Sequence, residues 1–261
     1  RREETLPALP PLLIPLGPPS FITGEQEMSS LWILCGSAMS IALIHTLMGP
    51  DHYLPLVALA RANKWTGSRT LAVTLLCGLG HVLTSILIAW IAIAAGIALT
   101  GFDRLEAARG NLASLLLIGF GLAYTVWGIR QARRGRAHSH HHVHPDGTAH
   151  AHFHDHSSGH RHLHPPARQL TLWLVILFGL GPCEPLIPLL MFPAAVYGQE
   201  GFLAVSAVFG ITTVAAMAGA VFLLRSGLSF AAPKFGWDRF SHTAAGLTIV
   251  MTGIGVRAFG L

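Results

Sequence analysis

The chain has 261 residues, 52% of them hydrophobic and only 11% charged, with a mean hydropathy of +0.54; soluble domains carry roughly 25% charge. That balance excludes an ordinary water-soluble domain and requires most of the chain to meet lipid. The net charge of +5 does not indicate nucleic acid, because the basic residues fall in short segments between apolar runs rather than in one patch with interleaved aromatics.

Residues 1–28 contain LPALPPLLIPLGPP, too proline-rich for a signal-peptide core or a helix, and read as an irregular lead-in. Six apolar runs follow, at about 30–48, 70–100, 111–130, 169–180 continuing past a break, 201–224 and 241–259, each taken as a membrane crossing. The second exceeds one crossing, so a tilt or a bend is expected near Gly78 and Gly80. Two further stretches, YLPLVALARA and PLIPLLMFPAAVYG, are too short to span comfortably and read as broken continuations or re-entrant segments. The domains are then the lead-in 1–28, a first membrane repeat 29–132, a His-rich loop 133–168 and a second membrane repeat 169–261.

Lys and Arg mark the cytoplasmic loops. Residues 61–69 hold Arg61, Lys64 and Arg69, residues 130–168 hold six arginines, and residues 225–239 hold Arg225, Lys234 and Arg239. These are alternate loops. In the other set, Arg104 and Arg109 are offset by Asp103 and Glu106. The expectation is a multi-pass protein of the inner membrane with both termini outside and the His-rich loop in the cytoplasm. Cys35, Cys77 and Cys183 lie in apolar segments without a CxxC, which argues against a disulfide framework.

Two segments match each other: GPDHYLPL at 49–56 and GPCEPLIPLL at 181–190. Aligned on Gly-Pro, Asp51 meets Cys183 and His52 meets Glu184. Three expected spans lie between them, an odd number, so the halves would be inverted, as in transporters built from inverted repeats. The fold class is therefore an all-α integral membrane protein of about six transmembrane helices, in two inverted three-helix repeats with broken first helices.

Asp51 and Glu184 are the acids expected at membrane depth, where a charge costs about 2.5–3.5 kcal/mol on insertion scales and so faces a cavity, a partner or an ion. A proline just past each break would start a helix with the acid in its first turn, while the preceding segment ends in free carbonyls that suit a cation. His45 and His52 flank the first break and His81 lies in GLGH of the second run. Imidazole with carboxylate suits nickel, cobalt or zinc better than calcium or magnesium. The candidate metal ligands are His45, Asp51, His52, His81, Cys183 and Glu184. Cys35 and Cys77 read as packing residues, and His242 is given no role.

Residues 138–164 hold 12 of the 16 histidines: His138, His140, His141, His142, His144, His150, His152, His154, His156, His160, His162 and His164. With Gly, Ser, Pro and Asp between them they cannot build a core. The tract reads as a low-complexity metal buffer or delivery segment, separate from the translocation site. No phosphate-binding loop, HExxH or nucleophile elbow occurs in the sequence, so an enzyme is not expected.

The segments HTLMGPDHYLPLVALA, GLGH and FGLGPCEPLIPLL resemble the nickel/cobalt efflux family and its urease-accessory-type membrane relatives. The resemblance spans both halves and implies an inner-membrane protein that moves Ni²⁺ or Co²⁺, with Zn²⁺ as a further cargo; efflux is the expected direction, because a cytoplasmic His loop would load the inner mouth. His45, Asp51 and His52 match the family's His/Asp signature; the second acid of the fuller permease signature is absent. Gly-Pro-Cys at 181–183 also resembles membrane thiol–disulfide carriers, but the repeat equivalent of Cys183 is Asp51, and a carboxylate forms no disulfide. The alternatives are a membrane accessory protein that hands metal to a cytoplasmic enzyme and a transporter of a non-metal substrate. No permanently bound cofactor is expected; the partners are a divalent cation, the bilayer, and a cytoplasmic metallochaperone or further copies of the chain, with no nucleic acid.

Overall fold

A computed structural model of the chain describes residues 24–95, 99–134, 138–143, 149–154, 167–181, 183, 185–230 and 240–259. Of the lead-in, residues 1–23 lie outside these, and from Gly24 the chain is helical. Helix α1 (Gly24–Met48) ends where Pro50 removes an amide and forces Gly49 out of the helical region, to φ −88 and ψ 93. A 3₁₀ turn (Pro50–His52) and a short helix α2 (Leu54–Ala62) follow. The helix thus restarts four residues later than the Gly-Pro pattern implied, with Pro55 rather than Pro50 in its first turn.

Lys64 adopts φ 50 and reverses the chain, after which the Thr66 hydroxyl caps α3 (Gly67–Ala94) by accepting from the Arg69 amide at 3.3 Å. Helix α4 covers Leu99–Arg134, α5 Ala167–Gly179, α6 Leu186–Phe230 and α7 Ser241–Phe259. Gly198 interrupts α6 at φ 60 and ψ −142, a conformation open to glycine but strained for other residues. Two strands, β1 (His138–Val143) and β2 (Ala149–His154), pair antiparallel within the His-rich segment, setting His138, His140 and His142 opposite His154, His152 and His150. This ladder departs from the structureless loop expected from composition, since alternating His-x-His has the two-residue period of a strand; the apolar body is all-helical, as expected. His144, His156, His160, His162 and His164 lie outside the described residues.

Among the described residues, four helical segments are long and apolar enough to cross a membrane: Met28–Met48, Gly67–Ala94, Arg104–Arg133 and Pro188–Gly227; Gln169–Gly179 is a shorter apolar helix. This is the composition of a multi-pass membrane protein. Large apolar side chains face outward, with Leu223 76%, Ile211 71% and Trp32 71% exposed, a surface suited to lipid. Several helix hydroxyls are satisfied within their own helix: Thr70, Thr74, Thr212, Thr248 and Thr252 each donate to the carbonyl four residues back.

Helices α1 and α3 pack on α6, α3 also on α5, and α4 along α7. Glycine makes these approaches close. Helix α3 is continuous through Gly78 and Gly80, whose missing side chains admit Val214 and Met217 of α6 and Val175 of α5. On the α4–α7 seam, Gly121 meets Val250 and Gly246, Gly128 meets Thr243, and Gly253 meets Leu117 and Ile118. At one end of the bundle, Arg225 donates to the Trp65 carbonyl at 2.7 Å and to the Thr70 hydroxyl at 3.0 Å, while the Tyr124 hydroxyl links Asn63 and His242, each at 2.9 Å. His242, given no role from sequence, therefore joins α7 to α4 and, through Tyr124, to the end of α2.

A β-carbon at Gly246 would lie 2.3 Å from Thr125 Oγ1 and 2.5 Å from the Thr125 amide, whereas one at Gly255 of the same helix would meet nothing within 4 Å. Gly246→Ala is expected to destabilise the protein by about 1–3 kcal/mol through overpacking, read as a lower melting temperature in detergent. Gly255→Ala should be neutral or slightly stabilising, since alanine is the better helix former.

Candidate metal centre

The two helix interruptions meet on α3. His45 stands in the last turn of α1, His52 ends the 3₁₀ turn, His81 lies at the middle of α3, and Cys183 sits in the gap between α5 and α6. The His52 ring lies edge-on to His45 at 4.9 Å and to His81 at 5.1 Å between centroids. Ligand atoms of His45, His81 and Cys183 lie within 4.8 Å of one another. An ion bonded at about 2.0–2.3 Å would need to draw them only slightly together.

Each ring is oriented by its neighbours. His52 Nδ1 faces two acceptors, Asp51 Oδ1 at 3.1 Å and the Gly49 carbonyl at 3.2 Å, and so carries the proton it donates. His81 Nδ1 likewise donates to the Phe178 carbonyl at 3.0 Å. In a neutral ring this leaves Nε2 with its lone pair. Nε2 of His45, His52 and His81 is buried without a hydrogen-bond partner in all three cases. Unpartnered buried nitrogens normally cost about 1–3 kcal/mol each; the close set of His45, His81 and Cys183, with the His52 ring against both imidazoles, is a donor set for a soft or borderline metal ion.

Asp51, a candidate ligand in the sequence, holds the far nitrogen of His52 instead, the carboxylate–histidine arrangement that fixes tautomer and ring direction at metal sites. Gly49 makes room for that contact: a β-carbon there would lie 2.6 Å from His52 Nδ1 and 2.9 Å from Asp51 Oδ1. A cavity of about 20 Å³ borders Asp51, His52, His81 and Gly181, room for roughly one water. Glu184 lies outside the described residues, as does Pro182.

The second interruption is held by two residues that sequence reasoning placed in a loop. Helix α4 begins at Leu99, so Glu106 and Arg109 fall inside the candidate span Arg104–Arg133. They are 4% and 7% exposed and form an ion pair. Arg109 Nη2 donates to the Gly181 carbonyl at 2.9 Å and, more weakly, to Gly179 O and Ser85 Oγ at 3.4 Å. Glu106 Oε2 accepts from the Cys183 amide at 3.1 Å. Asp51 is thus not the sole acid in the interior of the bundle. The signal was present as an acid and a base three residues apart, one helical turn, but their balanced charge imitates a loop.

These geometries can be set beside known proteins. The chain matches no protein-family model, no curated protein and no solved structure. The resemblance to nickel/cobalt efflux proteins therefore rests on its short motifs, and the chemistry of the centre has to be argued from the side chains themselves.

Arg109→Gln leaves Glu106 as an uncompensated buried charge, and a loss of about 3–5 kcal/mol is expected. The double variant Glu106→Gln with Arg109→Gln should recover part of that loss. Comparing melting temperatures of the three proteins in one detergent reads the difference; a double variant no better than the single would show that the pair does not act as a charge pair.

Proposed function

We propose that the chain carries a divalent transition-metal cation, nickel or cobalt first, across the membrane. The observation that supports this most directly is the cluster of His45, His81 and Cys183 at a junction of interrupted helices, with the His52 ring packed on both imidazoles and the Nε2 atoms of all three histidines buried without partners. A nitrogen-and-thiol set favours late first-row ions over magnesium or calcium, and interrupted helices at mid-depth are the usual seat of a transported ion.

The helices are consistent with two related halves. The order α1, interruption, α2, α3, α4 has its counterpart in α5, interruption, the two parts of α6 on either side of Gly198, and α7. Under that exchange α1 against α6 becomes α5 against α3, and both pairings occur. Read so, each half contributes to the centre, the first through His45, His52 and His81 and the second through Cys183. Rocking one half against the other would open the centre to alternate faces.

Arg225 meets Trp65 of the basic segment 61–69 at one end of the bundle, which fits a cytoplasmic face for that end. The His-rich segment emerges from α4 near the same end, where it would gather the ion for the centre. Export is the direction this favours.

Flux of Ni²⁺ and Co²⁺ into proteoliposomes tests the reading. His52→Ala and His81→Ala should abolish it, and removal of residues 138–164 should only weaken it. Asp51→Asn should lower metal affinity by about 10–100-fold, as for other residues that orient a ligand. In the detergent-solubilised protein, Co²⁺ should show a thiolate charge-transfer band that Cys183→Ser removes. Absence of flux of any divalent metal in the wild type, under imposed metal and proton gradients, would overturn transport; an intact cobalt spectrum beside it would indicate metal delivery instead.

A further inference from the structure

Helices α4 and α5 touch little, and between them lies an open-sided groove of about 710 Å³, within the range of about 300–1,000 Å³ that holds a small-molecule ligand. One end is polar, with Asn63, Arg69 and Gln169; the other is closed by Leu115, Leu116 and Leu177. Trp65, Trp127 and Trp173 ring the polar end. Tryptophan collects at the headgroup level of a bilayer. From Leu115 to Trp127 the groove follows α4 for twelve residues, about 18 Å at the helical rise of about 1.5 Å per residue, close to one leaflet of a hydrocarbon core of about 30 Å.

The Arg69 guanidinium stacks on Trp65 at 4.9 Å and has no carboxylate partner among the described residues. The groove floor is open at Gly119, where a β-carbon would meet nothing within 4 Å. An apolar channel one leaflet long, with a tryptophan collar and an uncompensated cation at its mouth, matches a lipid tail below an anionic headgroup.

We propose that this groove is a specific binding site for one phospholipid with an anionic headgroup, its phosphate at Arg69 and an acyl chain along Gly119 toward Leu177. Leu177 also borders the small cavity beside His52 and His81, so the bound tail props α5 against the wall of the metal centre. The proposal does not depend on the metal reading: lipid retention is measured without metal.

The test is native mass spectrometry of the full chain, released from nanodiscs of equal phosphatidylglycerol and phosphatidylcholine at energies that strip loosely held lipid. The expected result is one phosphatidylglycerol retained per chain. Gly119→Phe, or Ala123→Phe as a second plug should the first fail to fold, should abolish retention while helical circular dichroism is unchanged. Arg69→Gln should reduce the preference for phosphatidylglycerol by about five-fold, the weight of one basic side chain on an anionic surface, and Arg69→Lys should keep it. Equal retention of both lipids by the wild type, or retention indifferent to the plugs, would overturn the proposal. So would a species of twice the chain mass that the plugs remove, which would make the occupant a second copy.

Discussion

Inside hydrocarbon a backbone amide or carbonyl has no water to turn to, so every group released by a helix break must be satisfied by the protein itself. Besides the kink at Gly198, this chain breaks its helices at two Gly-Pro sites within its apolar body, and the rest of the structure is arranged around that constraint. At the first break the Gly49 amide returns to the His45 carbonyl and the Tyr53 hydroxyl donates to the Leu47 carbonyl. At the second, Arg109 takes the carbonyls of Gly179 and Gly181, Glu106 takes the Cys183 amide, and His81 takes the Phe178 carbonyl. The groups that repair the breaks are thus the groups that orient the candidate ligands.

This sharing makes the centre mechanically dependent on both interruptions. His81 has one ring nitrogen on the end of α5 and the other turned toward His45 and Cys183, so displacement of α5 relative to α3 must turn or release the ring. The remaining contacts favour movement of whole helices over bending. The seams at Gly80, Gly121 and Gly246 bring backbones close and Gly78 seats the side chains of Val214 and Met217, and close-packed helix faces transmit displacement rather than absorb it. Such a scaffold can change the distances among four side chains without unfolding anything, which is what release of a bound cation requires.

The buried pair Glu106–Arg109 carries a separate lesson. Two opposite charges one helical turn apart cancel in a charge count, and in a sequence scan they resemble the edge of a loop. Only the burial of both, and the backbone atoms they hold, reveals them as part of the interior. The reassignment of Asp51 has the same origin. Its distance from the imidazoles could not be read across a break, because helical periodicity stops at Gly49; the local geometry turns it onto His52 Nδ1.

The sequence by itself determined the lipid-facing character of the chain, the two Gly-Pro interruptions and the residues His45, His52, His81 and Cys183, because hydropathy, proline chemistry and costly polar groups in apolar runs are local properties. It also held the histidine alternation that pairs as β1 and β2, though composition alone suggested a structureless segment. Tertiary structure decided which of these residues meet. Cys183 is distant in sequence from His45 and His81, and the close approach of α5 and α6 to α3 at Gly78 and Gly80, the start of α4 before Glu106 and the groove beside Arg69 all follow from how helices pack. Packing depends on the shapes of surfaces brought together from far apart in the chain, and no periodicity within one segment encodes it.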